Sequence, residues 1–280
     1  DFANTNPDAL QGNLKIYNLA LNSNNKNIST DTITLVAANS KDSGQRISLH
    51  AEMADIDWYG NYKLTEVAKA LQHTINRYYN IPGFKDTLFT AQQWQMNVHL
   101  RPSAVVLQLM PELKGTDTIG AKISFNSQQN NLDLSITAPK IQYGEQAIEQ
   151  LSVTASSDDK QLNYKLNVNK AGSKSVQLYK TSLTGNVANN ILNTSLLVKD
   201  KKETNRYQFA ATLNQVSSGI RFALKPDSLL LDYEKWQVSN DNFLQYDSTG
   251  VIANNFLLSN KDQSLRINSA TTSTQAPLEV

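Results

Sequence analysis

Cysteine is absent from this 280-residue chain. That excludes disulfides, thiolate catalysis and cysteine-held zinc or iron–sulfur centres. Glycine is sparse at 11 residues, and none of them build a phosphate-cradling loop. Only three histidines occur, His50, His73 and His99; they lie far apart, and none has the i, i+4 partner of a helical metal site. Charge of one sign is also missing: 26 basic and 25 acidic residues are scattered to a net +1, which argues against a nucleic-acid stripe or a polybasic membrane patch. No apolar run approaches the ~18 residues of a membrane-spanning helix, and no signal peptide is evident. The chain opens on Asp1 rather than Met and ends in a polar run at 270–275, which leads to the expectation of a piece of something longer.

What the chain does have is alternation. Between Ile119 and Ile267, apolar and polar residues take turns, broken at regular intervals by small polar clusters. Leu132, Leu134 and Ile136 alternate with Asp133, Ser135 and Thr137. Leu162, Tyr164, Leu166 and Val168 follow the same rule, as do Tyr207, Phe209, Ala211 and Leu213. Strand side chains point to opposite faces with period two, so each run has one apolar and one polar face. Turns are expected at 128–131, 157–160, 172–173, 189–190, 199–205, 217–219, 247–250 and 260–262, a beat of roughly one strand and one reversal. The result is a long antiparallel sheet with one continuous apolar side, which must either be buried or be offered to something else. Alternation slips at Leu196–Leu197, Leu229–Leu231 and Leu257–Leu258, where bulges would re-aim the faces.

The first block alternates from about 12 to 57, with turns expected at 24–27 and 41–44 and a strand over 47–56. The one clear helix spans about 64–79: Leu64, Val67, Ala68, Leu71, Ile75 and Tyr78 recur at spacings of three and four, with Thr65 as N-cap, Glu66 in the first turn, and Asn80 with Pro82–Gly83 as the stop. Its apolar stripe either packs on the sheet or touches a membrane or groove; the polar face with Lys69, His73 and Arg77 is too weakly basic to favour a membrane surface. Strands resume at 93–100 and 105–110, with Pro102 and Pro111 at their ends. No composition shift marks a domain boundary, so 1–280 reads as a single segment.

A search for chemistry returns little. Asp55 and Asp57 share a strand face beside Trp58–Tyr59, a pairing seen in glycoside hydrolysis and calcium binding, but equally in a solvated strand end. Ser217-Ser218-Gly219 lacks the flanking glycine of a nucleophile elbow. Trp58, Trp94 and Trp236 suit core packing, or ligand contact where the apolar face stays open. The expectation is a non-enzyme with no metal and no cofactor.

Three stretches carry a resemblance. These are Phe222-Ala-Leu-Lys-Pro-Asp-Ser-Leu-Leu-Leu-Asp-Tyr-Glu-Lys-Trp-Gln-Val-Ser-Asn-Asp-Asn-Phe-Leu-Gln-Tyr246, then Asn255-Phe-Leu-Leu-Ser-Asn260 with Gln263-Ser-Leu-Arg-Ile267, and Asp57-Trp-Tyr-Gly-Asn-Tyr-Lys-Leu64 running into the helix. In texture and in these phrases the chain resembles the translocation and assembly module (TamB) family of AsmA-like envelope proteins. The resemblance implies a β-taco, an elongated antiparallel sheet folded lengthwise into an open trough with an apolar interior. It further implies an internal segment in the periplasm of a Gram-negative bacterium, anchored to the inner membrane through an N-terminal segment that this chain lacks. Its partners would be phospholipid acyl chains and an outer-membrane barrel assembly protein, with no nucleic acid.

On that reading the groove is lined by Leu132, Leu134, Ile136, Leu162, Tyr164, Leu166, Val168, Phe209, Leu213, Phe222 and Leu224, and covered locally by the helix through Leu64, Val67, Leu71, Ile75 and Tyr78. Three functions compete. The first is a trough that holds or conducts phospholipid between the two membranes. The second is a scaffold for outer-membrane protein assembly that recruits strands to its edges. The third is a closed β-sandwich of adhesin or glycan-binding type.

Overall fold

A computed structural model describes the chain except for residues 1, 3–5, 24–25, 41–43, 82, 217–218 and 274–276. The expected turns at 24–27, 41–44 and 217–219, the Pro82 stop and the polar end at 270–275 therefore lie partly outside the described residues. The described residues are mainly β, with one large antiparallel sheet that is not closed into a barrel, and two α-helices. It divides into two compact units: residues 1–76, 83–159 and 168–177, and residues 77–82, 160–167 and 178–280.

The first unit is a meander. β1 (Gly12–Ile16) is followed by a side hairpin of β2 (Leu19–Ser23) and β3 (Lys26–Thr30), then β4 (Ile33–Ser40), which pairs back on β1. β5 (Gly44–His50), β6 (Ala54–Asn61) and β7 (Gln93–Leu100) follow in order. After β8 (Leu113–Thr116), β7 pairs with β9 (Ile119–Asn126), and β9 with β10 (Asn131–Tyr143) and thence β11 (Gln146–Ser157). Register separates the faces. Ile47, Trp58, Met96, Ile123, Leu134 and Ala155 are successive cross-strand partners, while one residue further along Ser48, Asp57, Asn97, Lys122, Ser135 and Thr154 form the opposite row. Alternation in sequence has become segregation in space.

The helix α1 (Val67–Asn76) lies against the apolar face. It is shorter than the expected 64–79 because Thr65 does not cap it: the Thr65 N–H and hydroxyl donate to the Asp8 carboxylate at 3.0 and 2.6 Å, and residues 64–66 form a turn whose Glu66 N–H donates to the Lys63 carbonyl at 3.0 Å. Tyr78 falls beyond the helix, in the second unit, where its carbonyl accepts from Asn190 N–H at 2.9 Å. The buried stripe is also turned from the expected one. Ala70 and Thr74 are buried and Ala68 is exposed. Ala70 is the residue small enough to sit flat against the rings of Tyr62, Trp94 and Phe125, so it, rather than Ala68, sets the contact line.

Two further expectations are corrected. The strand expected over 105–110 is a second helix, α2 (Ala104–Leu109): the Ser103 hydroxyl accepts the Val106 N–H at 3.2 Å, and a cap directly after Pro102 overrides the β-leaning of two valines. The strand expected over 47–56 is interrupted at 51–53, where Ala51 and Ala54 exchange backbone hydrogen bonds. Nothing in Ala51-Glu52-Met53 marks a turn; Arg101 holds it from outside, donating to the Ala51 carbonyl at 2.8 Å and the Glu52 carbonyl at 3.1 Å.

β12 (Leu162–Gly172) gives residues 162–167 to the second unit and the rest to the first. In the second unit β13 (Gln177–Ala188, which enters this unit at Leu178), β14 (Ile191–Lys199) and β15 (Asn205–Val216) pair in sequence. Asn189 and Asn190, at φ 51° and 64°, join the first two as a two-residue turn that needs left-handed backbone at both positions. Beyond β15 three successive strand lines are broken in the middle: β16 (Gly219–Leu224) and β17 (Leu229–Leu231) both pair with β15; β18 (Glu234–Val238) pairs with β17, and β19 (Phe243–Asp247) with β16; β20 (Gly250–Asn254) pairs with β19 and β21 (Phe256–Asn260) with β18; the unbroken β22 (Gln263–Ser269) pairs with β21, and β23 (Leu278–Glu279) with β22. The bulges expected at Leu196–Leu197, Leu229–Leu231 and Leu257–Leu258 do not form: register runs unbroken through all three, so successive leucines point to opposite faces, and the shifts fall beside the first of them, between Tyr179 and Ser182 and between Val198 and Lys199.

Candidate functional site

In the first unit the apolar face is covered. Tyr62, Ala70, Trp94 and Phe125 form its centre, with Trp58, Leu64, Val67, Leu71, Phe89 and Leu132 packed around them. Trp58 stacks on Tyr62 with ring centroids 4.5 Å apart and stands edge-on to Trp94 at 5.4 Å. Of the expected lining, Leu132 joins this cluster, and Leu134 and Ile136 continue the same face beyond it, half-buried. Of the expected cover, Leu64, Val67 and Leu71 do pack there, and Ile75 is half-buried. Val168 is buried, among the first unit's residues.

In the second unit the apolar face carries no helix among the described residues. Val187, Leu192, Leu213, Phe222, Leu244 and Ala253 are cross-strand partners in one row over six strands. A second row runs Leu183, Leu196, Phe209, and between them Gly185, Thr194, Ala211 and Leu224. Phe209, Leu213, Phe222 and Leu224, all expected as lining, thus share one face, and each is half-buried. Tyr164 reaches the same face: its hydroxyl donates to the Asn193 carbonyl at 3.1 Å, and its ring occupies the space above Gly185 where any Cβ would clash. Leu162 and Leu166 stand two residues to either side of Tyr164, half-buried. Sequence reading missed Val187, Leu192, Leu244 and Ala253; each alternates correctly in its own strand, but only register reveals that they align. The opposite face is polar and stitched, with the Arg221 guanidinium donating to Gln245 at 2.8 Å and lying 4.1 Å from the Phe243 ring centroid.

Asp55 and Asp57 do share a face of β6, but each carboxylate is engaged. Arg101 and, behind it, His50 hold Asp55, and pull its pKa down to about 2. For Asp57 burial pushes the pKa up, but Arg46 at 2.8 Å and Ser48 at 2.8 Å outweigh it and the net shift is downward. A carboxylate committed to a guanidinium is a poor proton donor and a poor calcium ligand. Among the described residues no group of three or more potential ligands is placed to hold a metal. Among the described residues no helix is long and apolar enough to cross a membrane.

This pairing makes stability pH-dependent. Asp55 is charged in the fold down to about pH 2, whereas a free aspartate takes up its proton near pH 4. Its depressed pKa adds stability that is present above the unfolded value and lost as pH falls through the window between them. NMR titration of Asp55 is expected to give a midpoint near 2, and Arg101→Ala to move it towards the ordinary aspartate value. An unchanged midpoint in that variant would mean the ion pair does not form in solution.

Comparison of the chain with protein-family models, with curated proteins and with solved structures finds no match.

Proposed function

We propose that the protein is a hydrophobic trough segment that holds or conducts phospholipid acyl chains within a Gram-negative envelope. The observation that carries this reading is the six-strand apolar row Val187–Leu192–Leu213–Phe222–Leu244–Ala253, half-open over Leu213 and Phe222 and without a covering helix among the described residues. Each methylene fully buried against such a surface gains about 0.8 kcal/mol, and one left partly in water gains less. The row offers aliphatic and aromatic side chains at near-even spacing and no buried charge, so an acyl chain meets no single deep well and can shift along it. The headgroup stays in solvent. Such transfer needs neither metal nor cofactor in this segment, and the resemblance to AsmA-like envelope proteins adds an outer-membrane barrel assembly protein as the partner to be sought.

Period two supplies the control for a test. A photo-reactive benzoylphenylalanine at Leu213 or Phe222 in membrane-bearing cells should yield a phospholipid adduct by mass spectrometry. The same probe at Asn214 or Arg221, next in sequence and on the other face, should not. Equal capture at all four positions, or capture at none, overturns the reading.

A further inference from the structure

We infer that the polar face of the first unit is a binding track for an unbranched, uncharged polysaccharide. This inference is independent of the lipid reading, which concerns the other face and the other unit. A cleft of about 410 Å³ opens on this face around Tyr59, Gln95, Ser124 and Asp133, and a second depression of about 380 Å³ continues it to Ser156. Both volumes fall in the ~300–1,000 Å³ range of small-molecule sites. Amides are common throughout this chain, so composition alone selects nothing; the depression does.

Register gives the cleft a direction. Tyr59, Gln95, Ser124, Asp133 and Ser156 are successive cross-strand partners on five neighbouring strands. At 4.7–4.9 Å between strands the row is roughly 19 Å long, enough for several sugar rings end to end. Its chemistry fits hydroxyl-rich ligands. Each primary amide presents a donor and an acceptor side by side, as a pair of vicinal hydroxyls does. The Tyr59 hydroxyl donates to Gln95 Oε1 at 2.6 Å, which fixes the ring and turns the Gln95 N–H₂ into a directed donor. At the rim Asn126 Oδ1 accepts from the backbone of Gln128 and Gln129 at 3.0 and 3.2 Å, so its N–H₂ is likewise oriented. Tyr59 is 37% exposed, and an aromatic side chain at such a position is what the C–H face of a sugar stacks on. Asp133 is the single charge lining the first cleft; Lys122 joins only in the adjoining depression, and Arg46, the cross-strand partner of Tyr59, is held by Asp57 at 2.8 Å. A site without paired cations has nothing to hold a phosphate or a carboxylate polymer.

The test titrates the whole chain with maltohexaose and with the hexamer of N-acetylglucosamine, in lipid-free buffer, by calorimetry and amide NMR. One of the two is expected to bind with a Kd of about 1 mM or tighter, with shifts confined to the five-residue row. Tyr59→Ala and Gln95→Ala, both at exposed positions, should each weaken it at least about fivefold while leaving the thermal melt unchanged. Failure of both hexamers to saturate by about 10 mM, binding that neither substitution weakens, or displacement of the sugar by inorganic phosphate would each overturn the assignment.

Discussion

Replacing Phe125 by alanine is expected to destabilise the protein by roughly 3–5 kcal/mol, read as a drop in the urea midpoint followed by tryptophan fluorescence. Phe125 is 2% exposed and sits on β9 with its ring 5.5 Å from Trp94, under the contact line of α1. The cost is large because the void cannot collapse. Below it lies a hydrogen-bonded sheet. Above it the helix is tethered at its start by Thr65 on Asp8 and by Glu66, which accepts the Thr90 N–H at 2.6 Å. A helix fixed at that distance leaves the cavity empty, so the transfer loss and the cavity term add. Trp94→Phe is the companion measurement. The Trp94 indole N–H is buried with no hydrogen-bond partner among the described residues, so its removal relieves a desolvation cost while shedding some area. That variant should lose no more than about 1.5 kcal/mol. If Phe125→Ala costs as little, the helix is not seated on this core.

What the sequence disclosed was set by how local each determinant is. Whether a residue faced in or out was legible almost everywhere, because Leu132, Leu134 and Ile136, or Phe209 and Leu213, need only their immediate neighbours to alternate. Asn189–Asn190 was legible for the same reason: left-handed backbone at two successive positions is a local demand that asparagine meets. The hairpin at 51–53 was not, because its determinant, Arg101, lies about fifty residues away. Asp232–Tyr233, at φ 48° and 72°, forms a tight turn although tyrosine is a poor residue for it; its hydroxyl donates to Asp200 at 3.0 Å, a long-range contact that fixes it there. Helix α2 turned on a single serine hydroxyl. Both candidate surfaces were half-legible: each lining residue announces its own face, but the rows Val187–Leu192–Leu213–Phe222 and Tyr59–Gln95–Ser124–Asp133 exist only once register is known.

Register in the second unit depends on one recurring device. Where the strand lines break, a buried or half-buried Ser or Asn side chain takes over backbone pairing. Ser228 Oγ accepts the Ala210 N–H at 3.1 Å, Asn268 Oδ1 accepts the Asn255 N–H at 3.0 Å, Ser269 Oγ accepts the Ala253 N–H at 2.9 Å, and Ser239 donates to the Asn255 carbonyl. The first unit repeats it: Ser127 Oγ accepts the Gln92 N–H and Ser157 Oγ the Leu132 N–H, both at 2.8 Å. A sheet edge left open at these points would bury unpaired peptide groups and invite slippage. Short hydroxyl and amide side chains close the gap while the strand bends. This is one physical reason for a chain so rich in Ser and Asn.

Asn242 is the most heavily used of these plugs, and Asn242→Ala is expected to cost roughly 2–5 kcal/mol. Its side chain is 4% exposed; Oδ1 accepts the Leu224 N–H at 2.9 Å, while Nδ2 donates to the Leu224 carbonyl at 2.8 Å and the Ser239 carbonyl at 2.7 Å. A primary amide has the donor and acceptor of a peptide unit, so it continues the β16–β19 ladder past its last backbone pair, Phe222 with Leu244. Alanine strands three polar groups at once. Asn242→Asp separates shape from hydrogen bonding: it keeps the acceptor but turns the donor into a second acceptor facing two carbonyls. At neutral pH it should be at least as damaging as alanine, and its penalty should shrink as pH falls and the carboxyl gains a proton that can donate. On the proposed lipid reading, loss of Asn242 also disturbs the lining, because it clamps the strand residues beside Phe222 and Leu244. A photo-probe at Phe222 in the Asn242→Ala background should lose its preference for lipid over the Arg221 position, since a one-residue slip carries each side chain to the other face. A stable Asn242→Ala variant with unchanged labelling would show that the break is held by the flanking strands and not by this amide.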